Sequence, residues 1–219
     1  MTEKSQGQLI PPKAILIDVG GVVVANQWEV VARRLSPRLG LPVTQILDRL
    51  RRNSKQLDLG QIDLKQLYAS VTKGGVGSIP FRWFHKLVLD SSLMPYRRNL
   101  RLLQKIKSEL GIRMVAITNV GPEIAAVLEH KLHLSELFEV TVRSFEVGAA
   151  KPDRRIFLEA VRRSGFACPE VLYVDDSARN VLAARKLGIR SIQLASPARL
   201  GQSLKAFLPL RSATAKTRS

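Results

Sequence analysis

Residues 13–24 read Lys-Ala-Ile-Leu-Ile-Asp-Val-Gly-Gly-Val-Val-Val, an apolar run broken by one acid and a glycine pair. A short apolar run that ends in turn residues is the pattern of a strand covered on both faces, as in a parallel sheet. An acid inside such a strand, Asp18, is costly unless it is paired or bound to a metal. Downstream of residue 96, strand and helix patterns alternate. The spacing predicts helices over 97–110, 122–133, 153–164 and 178–187. Strands are predicted over 114–118, 138–144, 171–175 and 191–195. Gly111 and Gly188 stop two of the helices. This alternation predicts an α/β fold, a doubly wound parallel sheet of about five strands with helices on both faces.

Residues 26–95 follow a different period. Apolar residues recur at helical spacing, and Pro42, Gly60 and the Gly74-Gly75 pair break the pattern. Helices are expected over 27–39, 43–56, 61–72 and 80–90, with no strand between them. The expected organisation is a core of 13–25 and 96–210, an all-helical insertion over 26–95, and flexible tails at 1–12 and 211–219. Trp28 and the Trp83-Phe84 pair are read as packing residues of the insertion or of its contact with the core. His85, His130 and His133 lack the spacing of a metal site; the last two, three apart on one helix, are read as surface or packing residues.

Composition narrows the function. Hydrophobic residues make up 45% of the 219, enough for a core and too many for a disordered chain. The lone cysteine, Cys168, excludes a disulfide framework or a Cys-rich zinc site and fits a reducing cytosol. No apolar run approaches the roughly 20 residues of a membrane span, and Met1–Gln8 is polar. A cytoplasmic chain with no membrane partner is expected. The net charge of +17 suits an anionic substrate through electrostatic steering. Nucleic acid is the lesser expectation for that charge, because aromatics for base stacking are few.

In an open parallel sheet, ligands bind outside the carboxyl ends of the strands. The reactive residues at predicted strand ends are Asp18, the Thr118-Asn119 pair, Lys151 just before a helix, and the Asp175-Asp176 pair. Asp18 with Asp175 and Asp176 makes a hard oxygen cluster suited to Mg²⁺. Lys151 would offset carboxylate and phosphate charge, and Thr118 would donate to an anionic oxygen. Taken alone, Asp175 and Asp176 are equally good helix caps.

Four segments, Ile-Leu-Ile-Asp-Val-Gly-Gly-Val-Val, Val-Ala-Ile-Thr-Asn, Ser-Phe-Glu-Val-Gly-Ala-Ala-Lys-Pro-Asp and Val-Leu-Tyr-Val-Asp-Asp-Ser-Ala-Arg-Asn, stand in this order over residues 13–196. Together they resemble the haloacid dehalogenase (HAD) superfamily of hydrolases, chiefly phosphatases. The resemblance implies that Asp18 is the nucleophile and passes through an aspartyl-phosphate. It implies Mg²⁺ held by Asp18, the Gly20 carbonyl and Asp176, with Asp175 as a supporting or alternate ligand. Phosphoryl oxygens would be held by Thr118, the Asn119 N–H and Lys151. The helical insertion stands where the family carries a cap, and the substrate implied is a small phosphorylated metabolite.

Two positions depart from the family pattern. Gly20 stands where these phosphatases usually carry an aspartate that protonates the leaving group, although sugar-phosphatase-like members also begin Asp-x-Gly. Asn180 stands where many relatives have another acid. Two alternatives stay open: carbon–halogen hydrolysis, which needs no leaving-group acid, and a catalytically weak HAD scaffold that binds partners through its basic surface.

Overall fold

The computed structural model describes residues 10–26 and 28–209. Five strands form one parallel sheet: β1 (Ala14–Ile17), β2 (Arg113–Thr118), β3 (Val140–Arg143), β4 (Val171–Asp175) and β5 (Arg190–Gln193). Their order is β3-β2-β1-β4-β5, so the first strand lies at the centre. Leu16 pairs with Val115 on one side and Tyr173 on the other. The α/β expectation holds, and it holds for the expected reason. Every residue of β1 is buried, because both faces of the sheet are covered.

Between β1 and β2 the chain forms α1 (Trp28–Leu39), α2 (Val43–Asp58), α3 (Leu64–Thr72), α4 (Phe81–Ser91) and α5 (Arg97–Leu110). Later come α6 (Pro122–Leu132), α7 (Leu134–Leu137), α8 (Ser144–Val147), α9 (Arg154–Ser164), α10 (Ala178–Arg185) and α11 (Leu200–Leu204). Alternate residues of β1 feed two apolar layers, as the period of two in a strand requires. Ile15 and Ile17 join a layer containing Leu103 and Ile106 of α5 and Leu200 and Leu204 of α11, continuous with the interior of α1–α4. Ala14 and Leu16 face Ile156, Phe157 and Ala160 of α9 and Ala184 of α10.

Several boundaries differ from the sequence expectation. α2 runs to Asp58, two residues beyond the predicted 56. α3 begins at Leu64 because Asp63 caps it: Asp63 Oδ1 accepts from the Gln66 N–H at 2.7 Å, and Gln66 Oε1 accepts from the Asp63 N–H at 3.0 Å. α6 ends at Leu132, so His133 is not a helical neighbour of His130. It adopts a left-handed conformation, φ 48°, and breaks the segment into α6 and α7. The tails expected at 1–12 and 211–219 fall mostly on residues 1–9 and 210–219, outside the described residues. No helix among the described residues is long and apolar enough to cross a membrane.

Hydrogen bonds tie the helices α1–α4 to the rest of the molecule. The stretches leading into and out of them lie side by side: the Ala25 N–H donates to the Met94 carbonyl at 2.9 Å and the Tyr96 N–H to the Val23 carbonyl at 2.8 Å. Farther out, Glu123 of α6 holds two of the helices. Its Oε1 accepts from the Leu64 N–H at 3.1 Å, and its Oε2 lies 3.0 Å from His85 Nε2. His85 thus lies at this seam. Phe84 is fully buried, and Arg38 lies 4.4 Å from the Trp83 ring.

The end of α2 is pressed against the sheet. A Cβ at Gly121 would stand 2.6 Å from the Leu57 carbonyl oxygen, closer than any side chain can come. Gly121→Ala is expected to destabilise the protein by about 1–3 kcal/mol, the cost of overpacking a well-filled seam. Urea denaturation checks this, and a change within a few tenths of a kcal/mol would refute it.

Candidate active site

The site begins with a salt bridge inside the sheet. Asp18 follows β1, and its N–H donates to the Val174 carbonyl at 2.9 Å, so the ladder holds it directly beside β4. Asp175 ends β4 and is fully buried. Lys151 enters from the loop before α9 and places its Nζ 2.7 Å from Asp18 Oδ1 and 3.0 Å from Asp175 Oδ2. The third ammonium proton goes to the Ile117 carbonyl at 3.1 Å. An ammonium has three donors, so Lys151 is saturated. In this arrangement it acts on an incoming anion by charge, or by exchanging one of these bonds.

Asp175 is saturated as well. It accepts from Lys151, from the Tyr173 hydroxyl, from the Ser177 N–H at 2.7 Å and from Asn180 Nδ2 at 3.0 Å. Asn180 therefore meets the site as an amide donor. Asn119 clamps the lysine loop: its Oδ1 accepts from the Lys151 N–H at 2.7 Å and its Nδ2 donates to the Lys151 carbonyl at 3.0 Å. Both ends of the Asn119 amide are thus turned to the Lys151 peptide.

Asp176 is different. It is exposed, and among the described residues no ion pair or hydrogen bond from another residue's N–H holds its carboxylate. That carboxylate rests over Gly21, where a Cβ would meet Asp176 Oδ2 at 2.2 Å. Gly21 also has φ 77°, so this position needs glycine twice over.

One carboxylate oxygen each from Asp18, Asp175 and Asp176 lies within 4.8 Å of the others. Three acids against one ammonium, which contacts Asp18 and Asp175, leave an acidic excess, and all the donors are hard oxygens. This fits a divalent cation such as Mg²⁺. The electrostatics agree. Burial raises the Asp18 carboxyl well above the usual range, Lys151 opposes that, and Asp175 adds to it. Burial would also raise Asp175, but Lys151, the Tyr173 hydroxyl and the Ser177 N–H outweigh it and hold Asp175 low. Burial and the neighbouring Asp175 raise Asp176. Lys151 is held above its usual value, because Asp18 and Asp175 overcome the burial that would lower it.

These groups open into a cavity of about 530 Å³. Asp18, Gly20, Thr118, Asn119, Lys151 and Asp176 form its floor at the carboxyl ends of the strands. The structure brings every predicted site residue together there, with Asp175 just beneath. α1, α2 and the end of α4 form the roof, contributing Trp28, Leu47, Arg51, Ser54 and Val88. Trp28, read from sequence as a packing residue, thus also faces this space.

Sequence analysis did not single out Asp58, a lining residue with a titratable group. Asp58 ends α2 and projects into the cavity from the roof. Burial pushes its carboxyl up to about 7, against the pull of the Lys151 charge. The predicted helix stopped at 56, which put Asp58 in a loop. The available signal was an acid in the last turn of a helix, where the dipole disfavours negative charge.

A carboxyl raised on folding stabilises least when ionised. The unfolded chain would ionise Asp58 near its usual value and the folded chain near 7, so stability is lost as pH rises between the two. Asp58→Asn is therefore expected to raise the melting temperature at pH 8 by more than at pH 5. An equal shift at both pH values in calorimetry would refute this.

Comparison with known proteins agrees with the fold. Residues 12–188 match the family model for haloacid dehalogenase-like hydrolases. A HAD family enzyme of Bacteroides thetaiotaomicron, solved as a magnesium complex, superposes with TM-score 0.71 at 20% identity, covering 84% of this chain and 93% of that one. The L-2-haloacid dehalogenase of Xanthobacter autotrophicus gives TM-score 0.64 at 15% identity, covering 90% and 85%. Among curated proteins, a glyceraldehyde 3-phosphate phosphatase of Methanopyrus kandleri is 28% identical over 103 residues, 47% of this chain and 44% of the relative. Phosphoglycolate phosphatase 1 of Pseudomonas aeruginosa is 30% identical over 84 residues, 38% and 31%. The chain spans only about half or less of the length of the curated relatives it matches. With a family model matched over most of its length, the chain belongs to the haloacid dehalogenase-like hydrolases.

Proposed function

We propose that this hydrolase is a Mg²⁺-dependent phosphatase acting on a small phosphorylated metabolite through an aspartyl-phosphate. The observation that carries the reading is the convergence of the Asp18, Asp175 and Asp176 carboxylates at the carboxyl edge of the sheet, with the buried Lys151 ammonium bridging the first two. The relatives named as phosphatases support it.

In this reading, Asp18 attacks phosphorus, the bond to the leaving oxygen breaks, and water then hydrolyses the acyl phosphate. Asp18, the Gly20 carbonyl and Asp176 would hold the metal, with Asp175 fixing Lys151 beside them. Asp176 is the better outer ligand because, unlike Asp175, its oxygens are not already engaged by protein N–H groups. Bound there, Mg²⁺ would screen the repulsion between nucleophile and phosphate. Thr118 and the Asn119 N–H, with the Lys151 charge, would hold the phosphoryl oxygens. The helices α1–α4 would act as the cap, excluding water and selecting the leaving group. Arg51 in the roof adds a cation suited to an anionic metabolite.

The test is a phosphate-release screen of wild type and Asp18→Asn with Mg²⁺, with chloride release from 2-haloacids measured in parallel. Phosphate turnover that vanishes in the variant and with EDTA is expected. Equal activity in both proteins would remove Asp18 as nucleophile, and Mg²⁺-independent chloride release would favour the dehalogenase reading. Gly21→Ala is expected to weaken Mg²⁺ binding at least tenfold in a calorimetric titration, because the new methyl group displaces Asp176. Unchanged affinity would remove Asp176 from the ligand set.

A further inference from the structure

Breaking a phosphate monoester releases an alkoxide, which needs a proton, and the floor of the cavity has none to offer. Asp18 is engaged by Lys151, Asp175 is saturated with donors, Lys151 has all three protons committed, and Asp176 is reserved for the metal in the reading above. Gly20 has no side chain. In the roof, Glu29 is exposed and paired with Arg33 at 2.7 Å, and Arg51 does not give up its proton. From this elimination and from its place in the cavity wall, we propose that Asp58 of α2 is the proton donor to the leaving group and the base in the second step. This rests on the phosphatase reading above.

The structure anchors Asp58 to the core although its helix belongs to the insertion. The Ser144 hydroxyl donates to the Asp58 carbonyl, and the neighbouring Leu57 carbonyl is packed against Gly121. Two segments that follow strands β2 and β3 thus anchor this end of α2. The charged groups around Asp58 leave its carboxyl free. Glu123, from the adjoining α6, is bound to His85 and the Leu64 N–H. Glu146, from the adjoining α8, is paired with Arg143 at 2.9 Å. Lys151, Arg51, Glu29, Asp18 and Asp176 share the cavity, and no hydrogen bond or ion pair engages the Asp58 carboxyl among the described residues. Its raised pKa keeps a proton available near neutrality.

The atoms balance over two steps. Asp18 Oδ bonds to phosphorus, the bond from phosphorus to the ester oxygen breaks, and that oxygen takes the Asp58 proton. This leaves the alcohol, the aspartyl-phosphate and an Asp58 carboxylate. Asp58 then accepts a proton from the attacking water, whose oxygen bonds to phosphorus. The bond from phosphorus to Asp18 breaks, and phosphate, ionised Asp18 and protonated Asp58 are restored.

The experiment compares single-turnover cleavage of p-nitrophenyl phosphate and glycerol phosphate by wild type and Asp58→Asn with Mg²⁺. Nitrophenolate leaves without a proton and the alkoxide does not. The variant is expected to lose about 10²- to 10⁴-fold on glycerol phosphate, the usual contribution of a general acid, and at least tenfold less on the aryl ester. In wild type, the glycerol phosphate rate should fall as pH rises through neutrality while the aryl rate does not. That measurement stands even if the variant folds poorly. Equal losses on both esters, an effect on KM alone, or matching pH profiles would overturn the assignment while leaving the phosphatase reading intact. A wild type inert on both esters would overturn both.

Discussion

Everything at this site hangs on one buried ammonium. Lys151 Nζ sits between the carboxylates that end the two central neighbouring strands, and its last proton closes on the backbone of a third. A charge taken out of water is costly, and removing one partner from a buried pair costs roughly 3–5 kcal/mol. The arrangement persists because each group is satisfied several times over: three acceptors for Lys151, four donors for Asp175, and an amide clamp on the lysine's own peptide. Of the two acids that Lys151 bridges, Asp18 is the one that lines the cavity, where a proposed nucleophile must be.

The sheet makes this convergence possible. With β1 at the centre, β2 and β4 flank it in parallel, so their carboxyl ends arrive at one rim. The same neighbours supply Thr118 and Asn119 on one side and Asp175 and Asp176 on the other. The apolar layers beneath keep water from the ion cluster, which strengthens each contact within it. Above, α1–α4 close the cavity without losing their hold on the sheet, through the paired strands of linker at 23–25 and 94–96 and the Glu123 clasp. A roof tied this way can carry a reacting group as well as a recognition surface. Asp58, on the residue that ends α2 and beside two core loops, is where the two parts of the molecule meet at the proposed chemistry.

Much of the floor was legible in the chain. Asp18 in an otherwise apolar strand, and the acid pair closing Val-Leu-Tyr-Val, are local anomalies whose energetic cost is visible without coordinates. The roof was not. Asp58 looked like a loop residue after a basic helix, and its meaning depends on which neighbours strip it of water. Trp28 looked like any core aromatic for the same reason. Tyr173 gave no signal at all. Its place in a buried strand explains it as packing, and only the fold reveals that its hydroxyl reaches Asp175.

By itself the sequence determined the alternation of strands and helices, the helical insertion after the first strand and the acids at the strand ends. These follow from periodicity and from the cost of burying charge, both local properties. Tertiary structure alone decided that Lys151 and Asp175 would spend all their hydrogen bonds on each other and their surroundings, that Asp176 would rest over Gly21, and that Asp58 would enter the cavity. Those outcomes depend on which surfaces exclude water once distant segments meet, and no single stretch of chain carries that information.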